Sequence, residues 1–278
     1  MKRAKRIPYG VSDFIDIIER NQYYVDKTMY IPKLEDEPDA LFFIRPRRFG
    51  KSLFISMLRA YYDIKRKDKF DKLFGNLWIG SHPTENQGKY QVLFLDFSKI
   101  GGSIEQLEEN FNAYCNECID SFMETYQEYY PARVVENVLN AKTAARKLNA
   151  IGIAAEKKNL PLYLIVDEYD NFTNVVLNEQ GEEVYTALTH ASGFYREIFK
   201  VFKGMFSKIF MTGVSPVTLD DLTSRFNIGW HISTKPAFNQ MLGFSTEDVR
   251  ELFTYYKENG EIRPDSDVEA IINEMKPW

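Results

Sequence analysis

Gly50-Lys51-Ser52 and Asp167-Glu168 are the residues of this 278-residue chain whose types and spacing suit chemistry. A glycine, a lysine and a hydroxyl in succession suit the grip on a polyphosphate. Amides of a tight loop and a helix N-terminus face the anion, the Lys51 ammonium reaches the outer phosphates, and the Ser52 hydroxyl sits on a magnesium ion. Adjacent carboxylates suit the other half of a hydrolytic phosphoryl transfer. Asp167 would hold the magnesium, directly or through water, beside Ser52. Glu168 would polarise and orient the attacking water as a base. ATP and Mg2+ are the cofactors these residues imply.

Such side chains work only if particular elements present them. Leu41-Phe42-Phe43-Ile44 is an apolar run expected to form a buried strand, and Leu53, Phe54, Met57 and Leu58 form a helical stripe just afterwards. Between them, Arg45, Pro46, Arg47, Arg48, Phe49, Gly50, Lys51, Ser52 and Leu53 form the expected nucleotide-binding stretch. The usual pattern begins with glycine five residues before Gly50, and here that position is Arg45. Arg45, Arg47 and Arg48 add three cations near the phosphates, or form a solvated loop pairing with nearby carboxylates. Leu162-Tyr163-Leu164-Ile165-Val166 is a near-continuous apolar run, as in a parallel strand buried on both faces. Its two carboxylates then emerge at the strand end where open α/β sheets bind ligands, and strand alternation would point them to opposite faces. A third run, Lys208 to Gly213, ends in Thr212. In the hydrolases that this arrangement resembles, such a strand lies between the other two and its terminal polar residue contacts the γ-phosphate or the attacking water. Thr212 is the candidate, with Ser215 second; the alternative is a threonine that caps its own turn.

These segments together resemble the AAA-ATPase-like family, predicted ATP-binding proteins abundant in gut and anaerobic bacteria. Tyr24 to Thr28, Arg45 to Leu53, Asp167 to Phe172, Thr212 to Pro216 and Met241 to Ser245 carry the resemblance, which covers nearly the whole chain. It implies a P-loop NTPase fold of the ASCE/AAA-like kind: an α/β parallel sheet flanked by helices, with a small C-terminal helical lid. Arginine at the Arg45 position is normal in that family, whereas glycine is more usual at the Arg225 position. Many relatives continue into a domain resembling PD-(D/E)XK nucleases; the present chain stops at Trp278 without one and is expected to be truncated.

Composition bounds the reading. Apolar residues at 44% and aromatics at 15% supply a core for one large α/β domain with a small appendage. A net charge of −5 argues against binding nucleic acid by bulk electrostatics, although Lys2, Arg3, Lys5 and Arg6 cluster at one end. No stretch approaches the roughly 20 apolar residues of a membrane span, so a soluble cytoplasmic protein is expected. Cys115 and Cys118 are expected to be reduced structural thiols, because His82, His190 and His231 lack zinc-ligand spacing.

The expected layout has residues 1–38 packing on the nucleotide site, with Pro8, Tyr9 and Tyr24 as possible base contacts. Residues 39–234 form the core and 235–278 the lid-like piece. Helices are expected near Val11 to Arg20, Lys51 to Lys65, 103–129, 132–158, Glu182 to Val201 and Leu219 to Leu222, and from Ser245, where a capping pattern stands. A last strand is expected at Trp230-His231-Ile232, and Asp170 should cap the turn after the acidic strand. The leading function is an ATPase whose nucleotide state moves the lid, with Arg225 a possible arginine finger. The rivals are a non-hydrolysing nucleotide switch acting on a partner or nuclease-like domain, a P-loop kinase, which Glu168 argues against, and a purely structural module.

Overall fold

Apolar runs without polar alternation build the centre of the molecule. In the computed structural model, which describes residues 4–101, 104–171, 194–215 and 229–275, three short elements come first: α1 (Phe14–Glu19), α2 (Tyr30–Glu35) and β1 (Ala40–Ile44). The chain continues through α3 (Lys51–Tyr62), α4 (Phe70–Phe74), α5 (Trp78–Ser81) and β2 (Gln91–Asp96). Three helices cross back, α6 (Ile104–Tyr126), α7 (Ala132–Asn140) and α8 (Ala144–Lys157), to β3 (Leu162–Asp167). Then come α9 (Phe194–Met205), β4 (Lys208–Gly213), β5 (Trp230–His231), α10 (Thr246–Glu258) and α11 (Val268–Met275).

The strands form one parallel sheet in the order β2-β3-β4-β1-β5. β4 thus lies between the strand that feeds the phosphate loop and the strand that carries the carboxylates, as expected from the sequence. Every residue of β3 is buried, because helices cover both faces of a parallel sheet. Alternation divides the core in two. Phe42, Leu93, Leu95, Leu164, Val166 and Met211 pack under α6 to α9. Phe43, Tyr163, Ile165 and Phe210 face the other way, onto α1 to α5. Register aligns the strand ends: Ile44 pairs with Gly213 and Asp96 with Asp167, so the loops after β1, β2, β3 and β4 leave from one edge. This is the edge at which open α/β sheets bind ligands.

Several boundaries differ from the sequence expectations, each for a local reason. α1 starts at Phe14 because the Asp13 carboxylate accepts the Asp16 N–H. α3 stops at Tyr62 because Asp63 is extended and its side chain accepts from Lys65 N, opening a 3-10 turn instead. The polar stretch after it contains α4 and α5. The single helix expected over 132–158 breaks, and Thr143 caps α8 through Arg146 N. α9 extends past Val201 to Met205, whereas most of Glu182 to Val201, and Leu219 to Leu222, lie outside the described residues. The capping pattern at Ser245 is a capping box: its hydroxyl accepts from Asp248 N at 3.1 Å and Asp248 accepts from Ser245 N at 2.6 Å. Among the described residues no helix is long and apolar enough to cross a membrane.

Candidate nucleotide site

The loop from β1 to α3 has the backbone that a phosphate cradle needs. Gly50 precedes the helix at φ +84° and Arg48 has φ +70°, so the chain turns sharply before Lys51. Left-handed φ suits glycine and strains arginine. Phe54 N donates to Gly50 O at 3.0 Å, closing the first helical turn. The N–H groups of Gly50, Lys51, Ser52 and Leu53 donate to no acceptor among the described residues, the usual condition of helix-start amides and the basis of their affinity for anions. Lys51 is only 5% exposed, and its ammonium donates to Arg45 O at 2.9 Å and Pro46 O at 3.0 Å. Burial lowers its pKa, opposed by the carboxylates of Asp167, Glu168 and Asp170.

Asp167 joins the two motifs. Its Oδ2 accepts from Ser52 Oγ at 2.6 Å, and its Oδ1 accepts from Thr212 Oγ1 at 2.5 Å and from Glu168 N at 3.0 Å. Ser52 and Asp167 therefore share one place, as the sequence reading required. The Ser52 hydroxyl and Asp167 carboxylate form an oxygen donor pair of the kind magnesium takes. Thr212 is almost fully buried, and its hydroxyl is turned onto Asp167 instead of capping its own turn.

Glu168 departs from the strand geometry expected for it. The strand ends at Asp167 and Glu168 has φ +50°, so a left-handed turn, not strand alternation, separates the two carboxylates. Burial raises the Glu168 pKa; Asp167 and Asp96 push it further up, while Arg47 and Lys51 pull down. Asp170 reaches a turn beyond the one expected for it from the sequence. It is buried, and its carboxylate accepts from Val214 N and Ser215 N, the latter at 2.5 Å. It caps the turn after β4. Tyr169 reinforces the latch: its N–H donates to Thr212 O and its hydroxyl to Ser215 O.

The three loop arginines separate. Arg45 Nη1 donates to Ile44 O and Ser233 O, each at 3.0 Å, and its guanidinium lies over the Phe43 ring. Its side chain thus faces a carbonyl of β1 and one beyond β5, not the carboxylates. Arg47 donates to Asn171 Oδ1 at 3.3 Å beside Glu168, and Arg48 is exposed. Pro46 contributes the carbonyl to Lys51, Leu53 is half-buried in the core, and Phe49 is 44% exposed. Phe49 O accepts from Gly243 N at 3.0 Å, a contact that residue types alone did not signal.

Among the proposed base contacts, Tyr24 packs edge-on against Phe14, and Tyr9 is exposed. Within the Tyr24 to Thr28 motif, Asp26 accepts from Thr28 N, Thr28 Oγ1 and Trp78 N, and Lys27 pairs with Asp248 at 2.6 Å. That motif fastens α5 and α10 to the N-terminal segment. Arg225 and Phe172 lie outside the described residues.

The chain is similar to an uncharacterized protein in the vnfD 5' region of Azotobacter chroococcum mcd 1, 26% identical over 264 residues. That match takes in 90% of this chain, which spans 45% of the relative's length. Among solved structures it is similar to the Aeropyrum pernix ORC2 protein in ADPNP–ADP complexes. The identity is 11% and the TM-score 0.38, over 91% of this chain and 54% of that one. A parallel sheet with β4 inserted between β1 and β3, a Gly-Lys-Ser loop and a carboxylate facing it agree with the family description that matches residues 8–223: the chain belongs to the AAA-ATPase-like family, Predicted AAA-ATPase.

Proposed function

We propose that this chain binds ATP with magnesium and hydrolyses it to ADP and phosphate, with the nucleotide state altering how the C-terminal helices sit on the core. One observation carries the reading: Ser52 Oγ and Asp167 Oδ2 lie 2.6 Å apart, beside helix-start amides that have no acceptor among the described residues. Such a site offers donors to phosphate oxygens and two oxygens to one cation. Magnesium, when bound, supplies charge neutralisation to the phosphate oxygens. Ser52 and Asp167 would hold it.

The other roles follow from position and charge. Lys51, already drawn to carbonyl oxygens of the loop, grips the outer phosphates. Glu168 orients the attacking water and takes its proton at the carboxylate. Thr212 acts through Asp167, holding the Oδ1 side so that Oδ2 faces Ser52. In this layout residues 1–38 support the site, 39–234 form the core and 235–278 respond to it. Their response would pass to a protein partner or a nuclease-like domain beyond.

Two variants test the proposal in a Mg-ATP binding and phosphate-release assay. Lys51→Ala is expected to abolish ATP binding. Glu168→Gln is expected to keep binding and lower turnover by about 10²–10⁴; turnover at the wild-type rate would remove Glu168 from the base role. Two features of Glu168 favour the non-hydrolysing switch, its left-handed backbone and its raised pKa. Tight Mg-ATP binding by wild type with negligible phosphate release would select it.

A further inference from the structure

The phosphate loop is fastened at both ends to one distant stretch of chain. At its first residue, Arg45 donates to Ser233 O, and the neighbouring Ile44 N donates to Ser233 Oγ at 2.7 Å. At its fifth, Phe49 O accepts from Gly243 N at 3.0 Å. Ile232, Phe238, Met241 and Leu242 bury this stretch in the same core face as α3. The stretch is therefore anchored independently of the loop it holds.

Gly243 is specified twice. Its φ is +76°, and a Cβ there would lie 3.2 Å from Phe49 Cδ1, tighter than ordinary contact. Gly260, just beyond α10, has nearly the same backbone at φ +77° but nothing within 4 Å of a Cβ. The two glycines share one conformational demand, and only the first meets the phosphate loop.

We propose that Ser233 and Gly243 are positioning residues for the phosphate loop. They hold Arg45 and Phe49 so that the amides from Gly50 onward converge, and ATP affinity thereby depends on residues that touch no phosphate. The inference rests on the reading of Gly50 to Ser52 as an ATP site. A loop free at one end would have to be ordered by the ligand, and that ordering weakens binding.

Calorimetric titration of the whole chain with Mg-ATP, alongside apo melting curves, tests it. Gly243→Ala and Gly260→Ala are expected to lower the apo Tm comparably, since each puts a side chain on left-handed backbone. Gly243→Ala should also weaken Mg-ATP binding by about tenfold, while Gly260→Ala leaves it within about twofold. In a Phe49→Ala background the Gly243→Ala loss should shrink, because the ring that the new Cβ meets is gone. Wild-type affinity in Gly243→Ala, or an equal loss in Gly260→Ala, would overturn the proposal. Should Gly243→Ala fail to fold, Ser233→Ala, which removes the acceptor of Ile44 N, is expected to weaken binding about threefold, and no change would overturn it. A wild-type chain that binds no Mg-ATP would instead remove the ATP reading, and this inference with it.

Discussion

The phosphate loop is held on two flanks by different chemistry. Toward β3 and β4 side chains carry most of the contacts: hydroxyls of Ser52 and Thr212 on Asp167, and the Asp170 carboxylate on the amides of Val214 and Ser215, beside one main-chain bond from Arg45 N to Gly213 O. Toward the C-terminal stretch they end mainly on main-chain atoms, the carbonyls of Ser233 and Phe49 and the amide of Gly243, with the Ser233 hydroxyl that accepts from Ile44 N as the exception. The first flank fails when an atom is removed. The second fails mainly when one is added, as a Cβ at Gly243. The β3–β4 flank should govern turnover, and the C-terminal flank affinity.

The sharpest way to break that division is at Asp167. Asp167→Ala leaves the Ser52 and Thr212 hydroxyls and Glu168 N without their acceptor. Stability should fall by about 1–3 kcal/mol, the range for buried polar groups left unpaired, and Mg-ATP turnover by about a thousandfold. Asp167→Asn keeps a carbonyl acceptor and should recover much of the stability but little of the turnover. If Asp167→Asn turned over normally in a phosphate-release assay, the metal assignment would be wrong. Thr212→Val is milder: one donor to Asp167 is lost while Ser52 remains, so about 1 kcal/mol of stability and roughly tenfold in turnover should go. Thr212→Ser should restore both. A loss as large as that of Glu168→Gln, measured as kcat, would mean that Thr212 meets the water itself.

This division also explains how much was legible beforehand. The meeting of Gly50-Lys51-Ser52 with Asp167 could be read because apolar runs and side-chain types carry it, whereas the insertion of β4 came from the resemblance to hydrolases of this arrangement. The roles of Arg45 and Asp170 could not. Arg45 offers a cation suited equally to phosphate or carbonyl, and only the fold brings Ser233 O to it. Asp170 stands where a turn cap belongs, yet parallel pairing of β3 with β4 places the next strand's turn within its reach. The left-handed Glu168 was hidden for a similar reason. An apolar run ending in two carboxylates gives no sign of the residue at which extended backbone stops.

Between core and C-terminal helices a different pair sharpens the comparison. The Lys27 and Asp248 side chains are 12% and 15% exposed, and Asp248 is also the capping-box acceptor for Ser245 N at the start of α10. Burial raises the Asp248 pKa, but the bonds from Lys27 and Ser245 outweigh it and hold the carboxyl below its ordinary 3.8. A depressed carboxylate contributes stability that is present above the unfolded value and lost as pH falls through the folded one. Lys27→Met should therefore cost about 1–3 kcal/mol at neutral pH, with the gap to wild type closing in acid. Turnover per folded molecule should hardly change, which a melting curve and a steady-state assay on one preparation would check.

The smallest expected effect is one of sign, and it isolates Glu168 from both flanks. Its carboxyl pKa is raised above 4.5, chiefly by burial and then by Asp167. The ionised form is thus disfavoured in the fold, and the stability it permits at low pH is lost as pH rises through the folded value. Glu168→Gln should melt slightly higher than wild type at neutral pH, and the difference should vanish below the ordinary carboxylate range. Catalysis runs the other way, since the base must be ionised: wild-type kcat should decline as pH falls through that same raised pKa. Opposite pH trends in melting and turnover, both abolished by one substitution, are what a catalytic carboxylate in a strained, half-buried position requires. A turn residue with no part in hydrolysis would produce only the melting trend.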